Sequence, residues 1–240
     1  MGLEMGIVLE VCVDTAEGLA QAVAGGADRI ELCAALALGG LTPSAGLVGL
    51  AAGCGVPVVA MIRPRAGDFV WSEAEVGMMV AEIVAMQAAG LAGVVLGASL
   101  PDGRLDLPVL RWLVDVAPGM ELVLHRCIDL VPDMGAALEQ AVDLGFHRIL
   151  TAGGETTAEA GAARIGALVS QAAGRITVMP GSGVNPRNAA LLKGLGITQI
   201  HASCSASTPV TGRVVEMGFA SAVQRQTHSD AVRALAKALE

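Results

Sequence analysis

Gly26-Ala27-Asp28-Arg29-Ile30-Glu31-Leu32-Cys33 reads as the end of one helix and the start of one strand. A glycine suits the left-handed residue that closes a helix, and the run after it is short, apolar and β-branched. The same passage recurs as Gly90-Leu91-Ala92-Gly93-Val94, Gly145-Phe146-His147-Arg148-Ile149 and Gly196-Ile197-Thr198-Gln199-Ile200. The spacings are 64, 55 and 51 residues, and each copy precedes an even-numbered strand. A βαβα unit repeated four times predicts an α/β chain closed into a TIM (β/α)8 barrel. No G-x-G-x-x-G follows the first strand, so an open dinucleotide-binding sheet is disfavoured.

Strands are expected at 7–13, 29–33, 56–62, 93–96, 121–125, 148–151, 176–179 and 198–202. The helices between them open on recognisable caps. Asp14-Thr15-Ala16-Glu17 and Ser72-Glu73-Ala74-Glu75 place Glu in the first turn, the latter as a capping box. Pro43 suits a first helical position, as does Pro186, and Pro132-Asp133 opens the fifth helix. Ser229-Asp230 is expected to cap the last. Residues 1–240 read as one barrel domain with an irregular loop over about 203–228.

The chain is 53% hydrophobic and 16% charged, with no Tyr, three Phe and two Trp. Its core must come from aliphatic residues and Met. A net charge of -8 lacks the clustered Lys and Arg of a nucleic-acid surface, so no nucleic-acid partner is expected. No apolar run approaches the roughly 18 residues of a membrane span, and no membrane partner is expected. Five cysteines without a secretory signal point to free thiols in a reducing, cytoplasmic setting.

In this fold the site lies at the C-terminal ends of the strands. Residues two apart on a strand share a face, so Glu10 aligns with Cys12 and Glu31 with Cys33. The other strand ends carry Met61, Arg63, Arg65, Asp68, His125, Arg126, Cys127, Asp129, Met179, Gly181-Ser182-Gly183, His201 and Ser203. A chain poor in charge thus gathers its unusual polar residues at one mouth. Glu10, Glu31 and Arg63 suit either a buried ion-pair network or catalysis. His125 and His201 suit either core packing or acid-base work. Met61 and Met179 read as core filler. Cys127 adds a thiol at the mouth, and Cys204 follows strand eight beside strands one and two. Gly181 and Gly183 suit either a tight turn or an anion cradle.

The motifs Leu9-Glu10-Val11-Cys12-Val13-Asp14, Gly39-Gly40-Leu41-Thr42-Pro43-Ser44, Met61-Ile62-Arg63-Pro64-Arg65, His125-Arg126, Met179-Pro180-Gly181 and His201-Ala202-Ser203 resemble the CutC copper-homeostasis family. The likeness covers about residues 7 to 205. It implies a cytoplasmic TIM barrel that handles copper and forms a homo-oligomer, a dimer or larger. It also implies that Cu(I) binds at Cys12 and Cys33. The family has a third glycine where Ser182 stands and Ala-Phe where Cys127-Ile128 stand. The stretch from about 207 to 227 has no counterpart in the resemblance.

Two functions follow. In the first, the cysteines bind Cu(I), a soft ion suited to thiolates. In the alternative, the barrel is an enzyme of isomerase, lyase or aldolase type acting on a small anionic, possibly phosphorylated, ligand. Glu10, Glu31, Arg63 and His125 would then be catalytic. Arg65, Asp68, Arg126, Asp129, Gly181, Gly183, His201 and Ser203 would hold the anion.

Overall fold

A computed structural model describes residues 6–240. Eight strands alternate with helices: β1 Val8–Val13, β2 Arg29–Leu32, β3 Val58–Met61, β4 Gly93–Leu96, β5 Glu121–Leu124, β6 Arg148–Thr151, β7 Thr177–Pro180 and β8 Gln199–Ala202. All neighbouring pairs are parallel, in the order β7-β6-β5-β4-β3-β2-β1-β8. Strands β7 and β8 pack side by side without a hydrogen-bonded ladder, leaving the barrel nearly closed.

The connecting helices are α1 Ala16–Gly25, α2 Ala45–Ala51, α3 Glu73–Ala88, α4 Leu107–Asp115, α5 Met134–Asp143, α6 Ala162–Ala172 and α7 Ala189–Lys193. Their starts follow local chemistry. Thr15, Ser44, Asp106 and Asp133 each accept an amide of the first turn, and Ser72 with Glu75 forms the expected capping box. Gly26 ends α1 at φ 90°, a backbone state open to glycine at no steric cost.

Several expected boundaries shift. Strand β5 stops at Leu124, because His125 turns into a 3-10 segment, Arg126–Leu130, and caps it by accepting the Cys127 amide. Helix α6 starts at Ala162 rather than near Thr157, and α7 at Ala189 rather than Pro186. The stretch expected to be irregular is instead an antiparallel hairpin. Its strands, β9 Ser205–Pro209 and β10 Val223–Thr227, flank the short helix α8 Arg213–Glu216. The hairpin escapes a search for buried alternation because nearly all its residues are exposed. Finally, α9 Ser229–Leu239 is capped by His228 without a side-chain bond, not by Ser229 and Asp230.

Strand residues alternate between two cores, as the period of two requires. Outward-facing Val11, Ile30, Leu32, Val94, Leu124 and Ile200 pack against the helices. Inward-facing Val59, Met61, Val95, Val123, Leu150 and Met179 fill the barrel together with Cys33. Met61 and Met179 are therefore core residues, as read from the sequence. Below this layer the interior is polar: Arg148 pairs with Glu121, and Arg29 bonds Glu10 and Gln199.

The first and last barrel helices meet at a glycine. A Cβ on Gly25 of α1 would lie 2.5 Å from Val232 Cβ and 2.9 Å from the Ser229 carbonyl of α9. Gly25→Ala is expected to cost about 1–3 kcal/mol through overpacking. Urea unfolding should show a lower midpoint at unchanged slope.

Candidate functional site

The strand ladders determine which side chains meet. Register pairs Cys12 with Glu31 across β1 and β2, and Glu10 with His201 across β1 and β8. Three inward-facing positions from three adjacent strands therefore converge. The donor atoms of Cys12, Glu31 and His201 all lie within 4.8 Å of one another, and all three residues are buried.

Glu10 holds this group from beneath. It is fully buried, accepting Arg29 Nε at 2.6 Å on one oxygen and contacting His201 Nδ1 at 2.9 Å on the other. Burial alone would raise its carboxyl. The His201 hydrogen bond and charge, followed by Arg29, outweigh that and bring it to about 2. His201 is the reciprocal case. Burial opposes its charge, yet Cys12 and Glu31 with the bond to Glu10 raise its pKa well above the ordinary histidine value. Its Nε2 lies 3.6 Å from Glu31 Oε2. Burial pushes Glu31 up, against the pull of His201, and among the described residues its Oε1 has no hydrogen-bond partner. His201 thus stands as a cation between a firm carboxylate below and a proton-hungry one beside it.

Cys33 lies outside the three-residue group. It is fully buried, and its thiol donates to Glu31 Oε2 at 3.6 Å. Burial, then the Glu31 charge, pushes it well above the usual thiol value, so it is a protonated thiol. Cys12 lines both mouth cavities. Cys204 is buried at the larger one, with burial pushing its thiol up to about 12. Cys127 does not add a thiol to the mouth. It is fully buried against Gly97 and lines neither cavity.

The second half of the site is a cavity of about 200 Å³ lined by Glu31, Arg63, Phe69, His125, Arg126 and His201, among others. Arg63 is buried, and its guanidinium donates only to the backbone carbonyls of Leu38, Gly40 and Gly67. Among the described residues it has no carboxylate partner, and its Nε is unpaired. Phe69 lies between Arg63 and His125, with Arg63 Cζ 5.0 Å and the His125 ring 4.5 Å from its centroid. Burial, then the Arg63 charge, brings His125 down to about 3, so the ring is neutral. Its Nδ1 accepts the Cys127 amide, which puts the proton on Nε2, a buried donor with no partner.

Other expected residues divide. Arg65 is held inside its own loop by Asp68 at 2.9 Å and Glu75 at 2.5 Å, and neither Arg65 nor Asp68 lines either of the two mouth cavities. Both organise the loop after β3. Asp129 pairs with Arg126 at 2.6 Å and accepts the amides of Ala152 and Gly154, so it ties the loops after β5 and β6. Gly181 lies where a Cβ would meet Leu150 Cδ1 at 2.6 Å. Gly183 and Ser203 line the larger cleft, and His201 lines both cavities. Glu10 lines neither; its contact is with His201, so it positions that ring. Sequence reasoning missed Arg29, the cation that fixes Glu10. Its place two residues before Glu31 was the signal.

The fold and site define a (β/α)8 barrel with a buried cysteine, histidine and carboxylate cluster at the C-terminal mouth. The CutC family model matches residues 7–206. A CutC family protein of Rhizobium meliloti (strain 1021) is 55% identical over 236 residues, covering 98% of this chain and 96% of that one. One from Caulobacter vibrioides (strain NA1000 / CB15N) is 48% identical, with 97% of each covered. A crystal structure of CutC from Streptococcus agalactiae, described as a candidate copper homeostasis protein, superposes with a TM-score of 0.78 at 32% identity. That match covers 82% of this chain and 98% of that one. The chain belongs to the CutC family.

The ion pairs of Glu10 predict an acid transition. A carboxyl held at about 2 when folded and near 4.5 when unfolded contributes stability above pH 4.5 that is lost as pH falls toward 2. Glu10→Gln is expected to lose about 3–5 kcal/mol at neutral pH, because Arg29 and His201 stay buried without their anion. The gap from wild type should narrow as pH falls below 4.5 and close near pH 2 in urea melts across pH.

Proposed function

We propose that this CutC-family chain handles copper as cargo in the cytoplasm, holding Cu(I) at the barrel mouth with Cys12 as the anchoring ligand. The observation that supports this is the three-residue donor group. A thiolate and an imidazole suit Cu(I), with His201 entering once its Nε2 has given up its proton, and among the described residues the buried Glu31 Oε1 has no partner. The donor set therefore fits the ion. Because Cys33 is a sealed thiol bonded to Glu31, it enters only after losing its proton. Its part is secondary to that of Cys12. No helix among the described residues is long and apolar enough to cross a membrane.

Competition of the reduced protein against a chromogenic Cu(I) chelator tests the reading. Cys12→Ser is expected to weaken binding by more than about 100-fold, since even outer partners of metal ligands are worth 10–100-fold. Cys33→Ser should cost less than about tenfold, the size of an outer-partner effect. Equal affinity of wild type and Cys12→Ser would sink the proposal.

A second reading is favoured by Arg63. A buried cation without a carboxylate partner is costly, and here it shares a cavity with a neutral His125 whose Nε2–H is unpaired. That pair suits the oxygen of a small anion, with Glu31 and His201 at hand to carry a proton. Oxalate serves as a probe. It should raise the melting temperature saturably in wild type and not in Arg63→Gln. A flat response in wild type removes this reading.

The homo-oligomer belongs to the same proposal. Val214, Met217, Phe219 and Val223 all lie exposed between β9 and the middle of β10, with Phe219 82% accessible. Such a patch fits association with another copy.

A further inference from the structure

We propose that the cleft between the β7 and β8 loops is a phosphate site. Its occupant is a small phosphate monoester whose other end reaches the Arg63–His125 cavity. The inference deepens the small-anion reading and is independent of copper. The cleft encloses about 540 Å³, and no carboxylate lines it in a chain of net charge -8. Two arginines do line it: Arg187, after β7, and Arg225, on β10. The Arg187 guanidinium makes no hydrogen bond among the described residues. Arg225 donates only to Ser205 Oγ, at 3.1 Å, and Ser205 shares a hydrogen bond with Ser203.

The backbone contributes as well. The amides of Ser182, Gly183 and Val184 donate to no described residue. Ser182 and Gly183 have φ of 75° and 72°, which keeps this turn out of any helix. Two guanidinium groups, three free amides and two hydroxyls exceed what one carboxylate accepts. They suit the three acceptor oxygens of a phosphate dianion.

Cys12, Ser182 and His201 line both this cleft and the Arg63–His125 cavity. The two spaces therefore adjoin at these three residues, which puts the free end of a ligand seated by its phosphate beside the Arg63–His125 cavity. A free phosphate would use only half of the arrangement. Arg225 comes from the β9–β10 hairpin, which gives the hairpin a role as the far wall of the cleft.

Calorimetry at low ionic strength tests this with two probes, inorganic phosphate and glycerol 3-phosphate, on the intact chain. Both should bind saturably, the ester more tightly. The doubly substituted Arg187→Ala, Arg225→Ala chain should bind both at least tenfold more weakly. Arg164→Ala with Arg213→Ala removes the same charge elsewhere and should leave both affinities unchanged. Arg187→Ala alone, which breaks no contact, should show most of the loss if the double variant folds poorly. An Arg63→Gln chain that binds both probes like wild type would remove the small-anion reading while leaving the phosphate cleft standing. The proposal is overturned by no saturable binding, by equal loss in the charge control, or by inorganic phosphate binding more tightly than the ester.

Discussion

The carboxylate of Glu10 is the constraint on which the mouth of this barrel depends. It is wholly out of water, where an unpaired charge would cost several kcal/mol. It remains ionised because Arg29 and His201 occupy its two oxygens. That triad also fixes the tilt and charge of His201, which in turn sets the field felt by Cys12 and Glu31. Arg29 is tied further to Gln199, so β1, β2 and β8 are stitched below the site as well as across it. A buried ionic cluster of this kind is a weak source of stability. Its presence at the one place where ligand atoms gather is better understood as preorganisation.

The barrel interior changes character along its axis. Polar pairs occupy the bottom, an aliphatic layer with two methionines fills the middle, and titratable groups crowd the top. Burial among these side chains strengthens each electrostatic contact at the mouth. Its consequences run in opposite directions. Burial drives His125 neutral, whereas paired anions keep His201 charged. One mouth therefore holds an uncharged donor and a cationic ring, and the two proposed ligands would use different halves of it. Cu(I) would sit on the sulfur and His201 side, and an anion beside Arg63 and His125.

Much of this was written in local pattern. The repeated helix-ending glycines and the alternation of the strands implied eight parallel staves, because a period of two with both faces apolar suits only a sheet covered on each side. Strand ends then named the mouth, and Glu10, Glu31, Arg63 and His125 were recognisable as carboxylates, a cation and an imidazole on buried segments. The CutC resemblance rested on those same segments, and the family match spans them. For Arg65 and Asp68 an exposed Arg-x-x-Asp loop and a ligand clamp look alike in sequence; only the structure shows that their charges pair with one another.

The sequence by itself determined the barrel, its order of elements and the set of polar residues at one end, since those follow from periodicity and capping within a few residues. Only the tertiary structure decided the partners. Glu10 and His201 are 191 positions apart, and they meet because β8 closes beside β1. Cys33 lost its place beside Cys12 in the donor group to His201 because strand register sets Cys12 opposite Glu31 and leaves Cys33 a step further on. Arg187 and Arg225 face one cleft because an exposed hairpin folds over the end of β8. Pairing of this kind depends on closure and register, which no local pattern encodes.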